Sequence, residues 1–200
     1  VIGDKLKVVF IPNYGVSLAE LIIPAADVSE QISTASKETS GTSNMKLMAN
    51  GALSLATYDG ANIAIIQAAG AENEYPFGLK AADVYQYYQQ GNYHAADFYH
   101  TNPELKRILD SLTDGTIPDV LTVGREIFDS LVRYNDEFFV LADYESYTQQ
   151  QQRISQDFQD QISWQRRALA NIAASGRFSA DLSVARYADD IWQVPHDQLF

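Results

Sequence analysis

The sequence predicts an α/β protein whose C-terminal half is helical. Up to about residue 80, short apolar runs alternate with segments of helical periodicity, as in βα units on a parallel sheet. From about Lys80 onward, apolar residues recur at helical spacing instead. A chain of 200 residues is long enough to bury one substantial core. We therefore expect one domain, with the βα units in residues 1–80 and the helices in residues 81–200.

Three strands are predicted in the first part. The continuous apolar run over residues 7–11 is typical of a strand buried on both faces. Further strands are expected over residues 25–28 and 52–57, and Asp59-Gly60 is a turn signal that leads into a helix over residues 61–69. Before the second strand, Ser17 and Glu20 have the spacing of a capping box, which predicts a short helix that ends near Pro24.

The second part is predicted to be helical throughout, with Phe128, Leu131 and Val132 also at helical spacing. One helix covers residues 81–90 with Gly91 as its C-cap, and the next begins at Pro103. A long helix includes residues 144–152, another ends at Gly176, and the last packs residues 184–192 on the core.

Several side chains of the second part have a structural or a functional interpretation. Tyrosines 85, 87, 88, 93 and 99 could stack on sugars, but packing within and between helices is favoured. Arg166 and Arg167 are expected to extend into solvent from one helix face. His94, His100 and His196 lack the spacing of metal ligands, so no metal site is predicted.

Composition excludes several classes of protein. The chain has 26 acidic and 14 basic residues, a net charge of −12, and no cysteine. Nucleic-acid binding is excluded because phosphate contacts need clustered Lys and Arg, and disulfides and thiol catalysis need cysteine. The sequence contains no run of 18 apolar residues, so no membrane-spanning helix is predicted. The absence of cysteine is compatible with a reducing cytoplasm. Because residue 1 is Val and a strand is predicted soon after it, we expect a piece of a longer protein.

The segment over residues 38–46 is the strongest candidate for chemistry. A loop rich in Gly, Ser and Thr runs directly into a predicted helix over residues 44–50. Such a loop leaves backbone N–H groups unpaired at the positive end of the helix, which favours a phosphate or another anion. Lys46 in the first turn could neutralise the phosphate or form a Schiff base. Glu38 and Ser40 could bind sugar hydroxyls.

The same segment also has an ordinary structural interpretation. Loops of this composition cap many helices, and most lysines in a first turn are simply solvated. The pattern is not the phosphate loop of nucleotide-binding proteins, because no glycine directly precedes Lys46. From composition and spacing alone, both interpretations stay open.

The run ETSGTSNMKLMAN over residues 38–50 closely resembles the pyridoxal-phosphate attachment segment of the α-glucan phosphorylases (glycogen, starch and maltodextrin phosphorylases). Their pattern is Glu-Ala-Ser/Cys-Gly-x-Gly/Ser-x-Met-Lys-x-x-Leu/Met-Asn. The segment over residues 38–50 departs from that pattern at Thr39 and Ala49. Other segments also resemble the family, among them residues 13–35, 50–62 and 142–144 and the stretch over 171–192. The matching positions are Glu38, Ser40, Gly41, Ser43, Met45, Lys46 and Asn50.

The resemblance implies a larger architecture. Family members are several times longer, so the chain would be the second half of the Rossmann-like C-terminal domain of a two-domain, GT-B-type glycosyltransferase fold. The N-terminal domain of the parent protein would be absent, and the isolated chain would be inactive. The full-length protein would be a cytoplasmic homodimer of an allosterically regulated family.

The resemblance also implies the chemistry. Lys46 would bind pyridoxal 5'-phosphate as a Schiff base, and the phosphate of the cofactor would act as a proton donor and acceptor beside inorganic phosphate. The reaction would be phosphorolysis of a terminal α-1,4-glucosyl unit to α-glucose 1-phosphate. The alternatives are a non-phosphorolytic glycosyltransferase of the same fold, which would lack a Schiff-base lysine, and a non-catalytic carbohydrate-binding module.

Seven further residues receive roles by resemblance. Thr42 and Ser43 would offer backbone N–H groups to the phosphate of the cofactor. Ser43 stands where the family most often has Gly, so the backbone at Ser43 needs either a negative φ or a tolerated strain. Gly15 stands where animal members have Arg, so a phosphate contact from that position is lost. Cofactor-pocket roles fall to Tyr14 and Gln31, and glucosyl-binding roles fall to Glu38, Ser40 and Gly41.

Overall fold

A computed structural model describes residues 5–38 and 40–194. Its sheet has three parallel strands in the order β1-β2-β3: β1 is Val28–Gln31, β2 is Leu53–Thr57 and β3 is Tyr75–Phe77. Val28 pairs with Leu53, and Leu55 pairs with Tyr75. All five residues of β2 are buried, as expected for the central strand of a parallel sheet. The predicted α/β class is confirmed.

Helices connect the strands and make up most of the described chain after β3. α1 precedes the sheet, α2 joins β1 to β2, and α3 joins β2 to β3. The other seven helices follow β3, which confirms the helical second part. The bounds are α1 Val16–Ile22, α2 Ser43–Ala49, α3 Gly60–Ala69, α4 Ala81–Gln90, α5 Ala95–Thr101, α6 Pro103–Ser111, α7 Leu121–Phe128, α8 Val140–Asp157, α9 Gln161–Ala174 and α10 Ala180–Arg186.

Three clusters of buried apolar side chains hold these elements together. The first joins β2 and β3 to α8 and α9, where Trp164 stacks on Tyr75 with ring centroids 6.2 Å apart. A second joins α2 to α3 through Met48 and Ile65. The largest joins α4, α5, α6 and the start of α8, around Val84. Removing this apolar surface from water is the main driving force of the fold.

Several predictions from short sequence signals are correct, both around β2 and in the helical second part. β2 falls within the predicted strand over residues 52–57, and α3 follows the Asp59-Gly60 turn as predicted. Gly91 ends α4 in the left-handed conformation with φ 60°. Pro103 begins α6, and the Asn102 side chain accepts the first free backbone N–H groups of that helix.

The first 30 residues depart from the predictions. The predicted strand over residues 7–11 is wrong: residues 6–10 form no regular element, and Val8 and Phe10 are 86% and 90% exposed. A strand buried on both faces needs a neighbouring strand and covering layers, and the described residues supply neither for this run. The second strand begins at Val28, three residues later than predicted.

The predicted capping box in α1 is also wrong. The N-cap is Gly15, no side chain caps the helix, and Ser17 is already its second residue. Because Val16 enters the helix, the Ser17 hydroxyl is no longer at the position that reaches the free N–H groups. The predicted end is confirmed, since a 3-10 turn over Ile23–Ala25 contains Pro24.

Arg167 was expected in solvent and is instead 11% exposed. Its Nη1 lies 2.8 Å from Asp157 Oδ2 and donates to the Tyr75 hydroxyl, while the guanidinium stacks on the Tyr75 ring at 4.4 Å. Arg166 is exposed, as predicted. The difference arises because α9 turns Arg167 toward α8 and the sheet.

The long and the last helices were predicted with different success. α8 covers residues 144–152, and α9 ends two residues before Gly176. The last predicted helix divides into α10 and a π-helical turn over Tyr187–Trp192. The prediction that this segment packs on the core is wrong for Val184, Ile191 and Trp192, whose side chains are more than half exposed. Ala188 is buried, as predicted.

Packing explains part of the tyrosine cluster. Tyr93 and Tyr99 are buried and donate hydrogen bonds to Asp136 and Asp110. Tyr87 stacks on Phe139. The packing role is confirmed for these three rings, whereas Tyr85 and Tyr88 are more than half exposed.

Candidate functional site

The segment over residues 38–46 runs from the end of the β1 unit into α2. The helix begins at Ser43, one residue before the predicted start, and Thr42 is its N-cap. No side chain caps the helix. Gly41 has φ +91°, and Ser43, the first residue of the helix, is not among the residues with positive φ. Of the two alternatives that the resemblance leaves at Ser43, the negative φ is therefore present.

The carboxylate of Asp59 anchors the loop before this helix. It accepts the backbone N–H groups of Ser36, Lys37 and Glu38, with N···O distances of 3.0, 3.2 and 2.7 Å. Asp59 is itself buried. Hydrogen bonds to a charged acceptor are stronger than neutral ones, so the carboxylate fixes the path of this loop. The sequence indicated only a turn at this position.

Gly60 allows the backbone at Ser40 to lie close to the start of α3. The Ser40 carbonyl accepts the Ala61 N–H at 2.9 Å. Gly60 has φ +51°, and a Cβ there would lie 2.7 Å from the Ser40 carbonyl oxygen. Such a contact is closer than real Cβ atoms allow, so glycine is required both by its φ and by the space.

A buried pair of amides completes the anchor. Asn44 Nδ2 donates to Asn62 Oδ1 at 2.8 Å, and Asn62 Nδ2 donates to the Thr57 carbonyl at 3.3 Å. Both side chains are buried. The four residues Asp59-Gly60-Ala61-Asn62 therefore tie the loop and the first turn of α2 to the carboxyl end of β2. These anchors were missed from the sequence; polar residues at the carboxyl end of a parallel strand could have indicated them, because ligands bind at that edge of α/β sheets.

A cleft of about 710 Å³ lies between α1 and α2. Four of the predicted site residues line it: Tyr14, Thr42, Ser43 and Lys46. Lys46 is exposed. Within residues 5–38 and 40–194, no hydrogen bond or ion pair engages its ammonium group. The cleft therefore contains an unpaired ammonium group that can bind an anion and that could react as an amine once it loses a proton.

The other predicted site residues do not line this cleft. Gln31 Nε2 donates to Ser29 Oγ at 2.9 Å. The Glu38 Oε1 atom accepts the Ser40 N–H at 3.2 Å, and the Ser40 hydroxyl donates to the Gly41 carbonyl at 3.2 Å. Glu38, Ser40 and Gly41 thus form one loop directly before α2, next to the cleft but outside its lining.

Metal-binding clusters and membrane-spanning helices are both absent from residues 5–38 and 40–194. No group of three or more His, Asp or Glu side chains there could hold a metal ion. Of the three histidines, His94 is the N-cap of α5, His100 lies in its last turn, and His196 falls outside the described residues. Among the described helices, none combines the length and the apolar character needed to cross a membrane.

Comparison with known proteins identifies the family. The family model described as carbohydrate phosphorylase matches residues 1–194. The chain belongs to the carbohydrate phosphorylase family. The resemblance of residues 38–50 is thereby confirmed at the level of the family.

Similar members of the phosphorylase family include three glycogen phosphorylases. The protein of Bacillus subtilis is 48% identical over 193 residues, which are 96% of this chain and 24% of that protein. The muscle form of Ovis aries is 47% identical over 97% of this chain and 23% of its own length. The brain form of Homo sapiens is 46% identical over all of this chain and 24% of its own length. The chain thus spans about a quarter of the length of these relatives.

Proposed function

We propose that this chain is part of an α-glucan phosphorylase that transfers terminal α-1,4-glucosyl units to inorganic phosphate and releases α-glucose 1-phosphate. The observation that carries the proposal is the free amine of Lys46 in the cleft between α1 and α2. Three relatives named glycogen phosphorylase, 46–48% identical to the chain, support it.

The cleft fits pyridoxal 5'-phosphate. Its volume of about 710 Å³ lies within the range of small-molecule sites. Lys46 supplies an unpaired amine, Tyr14 supplies an aromatic ring, and the start of α2 beside Thr42 and Ser43 carries no side-chain cap. When bound, the cofactor supplies a phosphate group that gives and takes a proton beside the substrate phosphate.

The residues of this chain bind and orient the reactants. Lys46 would hold the cofactor through its side-chain nitrogen and fix its position in the cleft. The backbone N–H groups of Thr42 and Ser43 lie at the N-terminus of α2. There they would bind the phosphate oxygens of the cofactor, which the positive end of the helix dipole would also attract. The Glu38 carboxylate, supported by the Ser40 N–H at 3.2 Å, accepts hydrogen bonds from glucosyl hydroxyls. Gln31, Ser40 and Gly41 complete the proposed cofactor and sugar contacts.

The rest of the site must come from other parts of the polypeptide. We propose that the three parallel strands are the second half of a Rossmann-like domain in a two-domain, GT-B-type fold. Gly15 gives no positive side chain to neutralise the substrate phosphate, so basic residues outside this chain must do so. The isolated chain is accordingly expected to be inactive. The proposed full-length protein is a cytoplasmic homodimer.

The reaction is tested on the full-length polypeptide with a maltooligosaccharide as substrate. We expect α-glucose 1-phosphate to form only when inorganic phosphate is present. Lys46→Arg keeps the charge but cannot attach the cofactor, so its rate should fall at least about a thousandfold. Lys7→Arg is the matched control, because Lys7 is exposed and lies outside the cleft.

Two outcomes would overturn this proposal. Transfer from an activated sugar without any phosphate-dependent release would indicate a non-phosphorolytic glycosyltransferase. Glucan binding without turnover, unchanged in Lys46→Arg, would indicate a carbohydrate-binding module.

A further inference from the structure

The segment over residues 33–38, which follows β1 and leads to the loop before α2, contacts the helical second part of the chain. The Thr34 side chain is 8% exposed, and its hydroxyl donates to the Phe138 carbonyl at 2.8 Å. These two residues are 104 positions apart in the sequence. Next to Thr34, Ala35 is buried among apolar side chains of α4, α5, α6 and the start of α8.

The sheet holds the same segment from the other side. The Thr57 hydroxyl of β2 donates to the Ser33 carbonyl at 2.7 Å. Asp59, which follows β2, accepts the N–H groups of residues 36–38. The segment over residues 33–38 therefore lies between the sheet and the helical second part and is hydrogen-bonded to both.

A short turn connects Thr34 to Glu38, the first of the proposed glucosyl-binding residues. The Lys37 N–H donates to the Thr34 carbonyl at 3.0 Å and closes this turn. Within the turn, Ser36 has φ +78°, a conformation that is unfavourable for a residue other than glycine. Such a backbone persists only where surrounding contacts impose it. The position of Glu38 therefore depends on the contacts that hold this turn, the Thr34 hydroxyl among them.

The partner of Thr34 belongs to a second unusual turn, over residues 134–139, which leads into α8. Asn135, Asp136 and Phe139 have positive φ values of 65°, 42° and 57°. Three left-handed residues other than glycine within five positions again require contacts that impose them. The path of this turn determines where the Phe138 carbonyl lies.

Side chains of the 134–139 turn supply these contacts. Asn135 Oδ1 accepts the Ala95 N–H at 2.8 Å, and Asn135 Nδ2 donates to the Tyr93 carbonyl at 2.9 Å. Asp136 Oδ2 accepts the Tyr93 hydroxyl at 2.8 Å, and the Phe139 ring lies 4.5 Å from the Tyr93 ring. The turn is thus tied to the start of α5. The acceptor for the Thr34 hydroxyl is set by the helical second part and not by the sheet.

We propose that Thr34 is a positioning residue for Glu38, because its hydroxyl ties the segment over residues 33–38 to the 134–139 turn. The effect on glucosyl binding rests on the proposed function, whereas the tie between Thr34 and Phe138 does not. The first turn of α2 is held separately by the buried pair of Asn44 and Asn62. Loss of the Thr34 hydroxyl should therefore disturb the sugar side of the site and leave attachment of the cofactor intact.

Hydrogen exchange on the full-length polypeptide, as purified and without glucan, tests the tie itself. Thr34→Val keeps the shape of the side chain but removes the hydroxyl, so the backbone amides of residues 36–38 should exchange roughly three- to tenfold faster. Thr34→Ser keeps the hydroxyl and should exchange as the wild type does. Thr101→Val is the matched control, because the Thr101 hydroxyl donates within its own helix, to the Asp97 carbonyl at 2.7 Å.

Kinetics and cofactor attachment test the positioning role with the same variants. In Thr34→Val, kcat/KM for a maltooligosaccharide should fall roughly ten- to a hundredfold, because Glu38 is displaced from the glucosyl hydroxyls. Borohydride reduction should still give the full pyridoxyl adduct on Lys46. A merely structural role would lower the folded fraction, and then the adduct and the turnover would fall together. Thr34→Ser and Thr101→Val should keep kcat/KM within about twofold of the wild type.

A double-mutant cycle with Asn135→Gly tests the route through the 134–139 turn. Glycine accepts φ +65° without strain but removes both side-chain hydrogen bonds of Asn135. Asn135→Gly should lower kcat/KM in the wild-type background and have little further effect in Thr34→Val, because both changes break the same connection.

The outcomes that would overturn the proposal are distinct. Unchanged exchange at residues 36–38 in Thr34→Val would overturn the tie, and faster exchange with unchanged kcat/KM would overturn the positioning role. Additive effects of Asn135→Gly and Thr34→Val would overturn the route. A wild type without phosphate-dependent release would overturn the proposed function and the kinetic role with it, whereas the exchange rates would still show whether Thr34 ties the two parts together.

Discussion

The carboxylate of Asp59 accepts the backbone N–H of Glu38 at 2.7 Å, across 21 positions of the sequence. Glu38 opens the segment that contains Lys46, and Asp59 follows the central strand β2. The Asp59 side chain therefore ties the start of this loop to the end of the central strand. In the proposed phosphorylase, this contact would hold the proposed glucosyl-binding residues close to Lys46, the lysine proposed to bind the cofactor.

Asp59→Asn tests this contact directly. The amide replaces one acceptor oxygen with an N–H donor, which faces backbone N–H groups that need an acceptor. The free energy of unfolding should fall by about 1–3 kcal/mol, and amide hydrogen exchange at residues 36–38 should accelerate. Asp27→Asn removes the same charge at an exposed position and should change the stability by less than ~0.5 kcal/mol. Equal effects of the two variants would contradict the role of Asp59.

A pair of glycine variants measures the approach of Ser40. Gly60→Ala places Cβ 2.7 Å from the Ser40 carbonyl oxygen at φ +51°, whereas Gly91→Ala places it at φ +60° with no atom within 4 Å. Both variants incur the strain of a left-handed conformation, about 1 kcal/mol, but only Gly60→Ala displaces the loop. Thermal unfolding should show the larger loss for Gly60→Ala, and a loss no larger than that of Gly91→Ala would mean that the loop accommodates the methyl group.

The two neighbouring arginines of α9 should respond differently to truncation. Arg167→Ala removes the ion pair with Asp157 and the stacking on Tyr75, and should lower the free energy of unfolding by roughly 1–3 kcal/mol. Arg166→Ala truncates an exposed side chain and should change it by less than ~0.5 kcal/mol. Denaturant titration of both variants measures the two losses in the free energy of unfolding. A larger loss for Arg166→Ala than for Arg167→Ala would contradict the prediction.

The sequence predicted those parts of the fold that depend on neighbouring residues. Gly91 ends α4 and Pro103 begins α6 because their backbone preferences act locally. The strand over residues 7–11 was wrong because an apolar run indicates burial but does not show which strand or layer covers it. Arg167 was misplaced because its partners, Tyr75 and Asp157, lie on other elements.

The candidate site was partly accessible from the sequence. Lys46 and the loop before α2 were found from composition and resemblance, and Tyr14 lies in the same cleft. Asp59 and Asn62 were missed as anchors because a turn residue and a buried acceptor look alike in one sequence.

Borohydride reduction of the full-length polypeptide, followed by peptide mass mapping, tests the central claim most directly. The reagent fixes pyridoxal phosphate permanently on the lysine that binds it. The account predicts a pyridoxyl adduct on the peptide that contains Lys46, and its loss in Lys46→Arg. Folded protein with an unmodified Lys46, or with the adduct on another lysine, would contradict it.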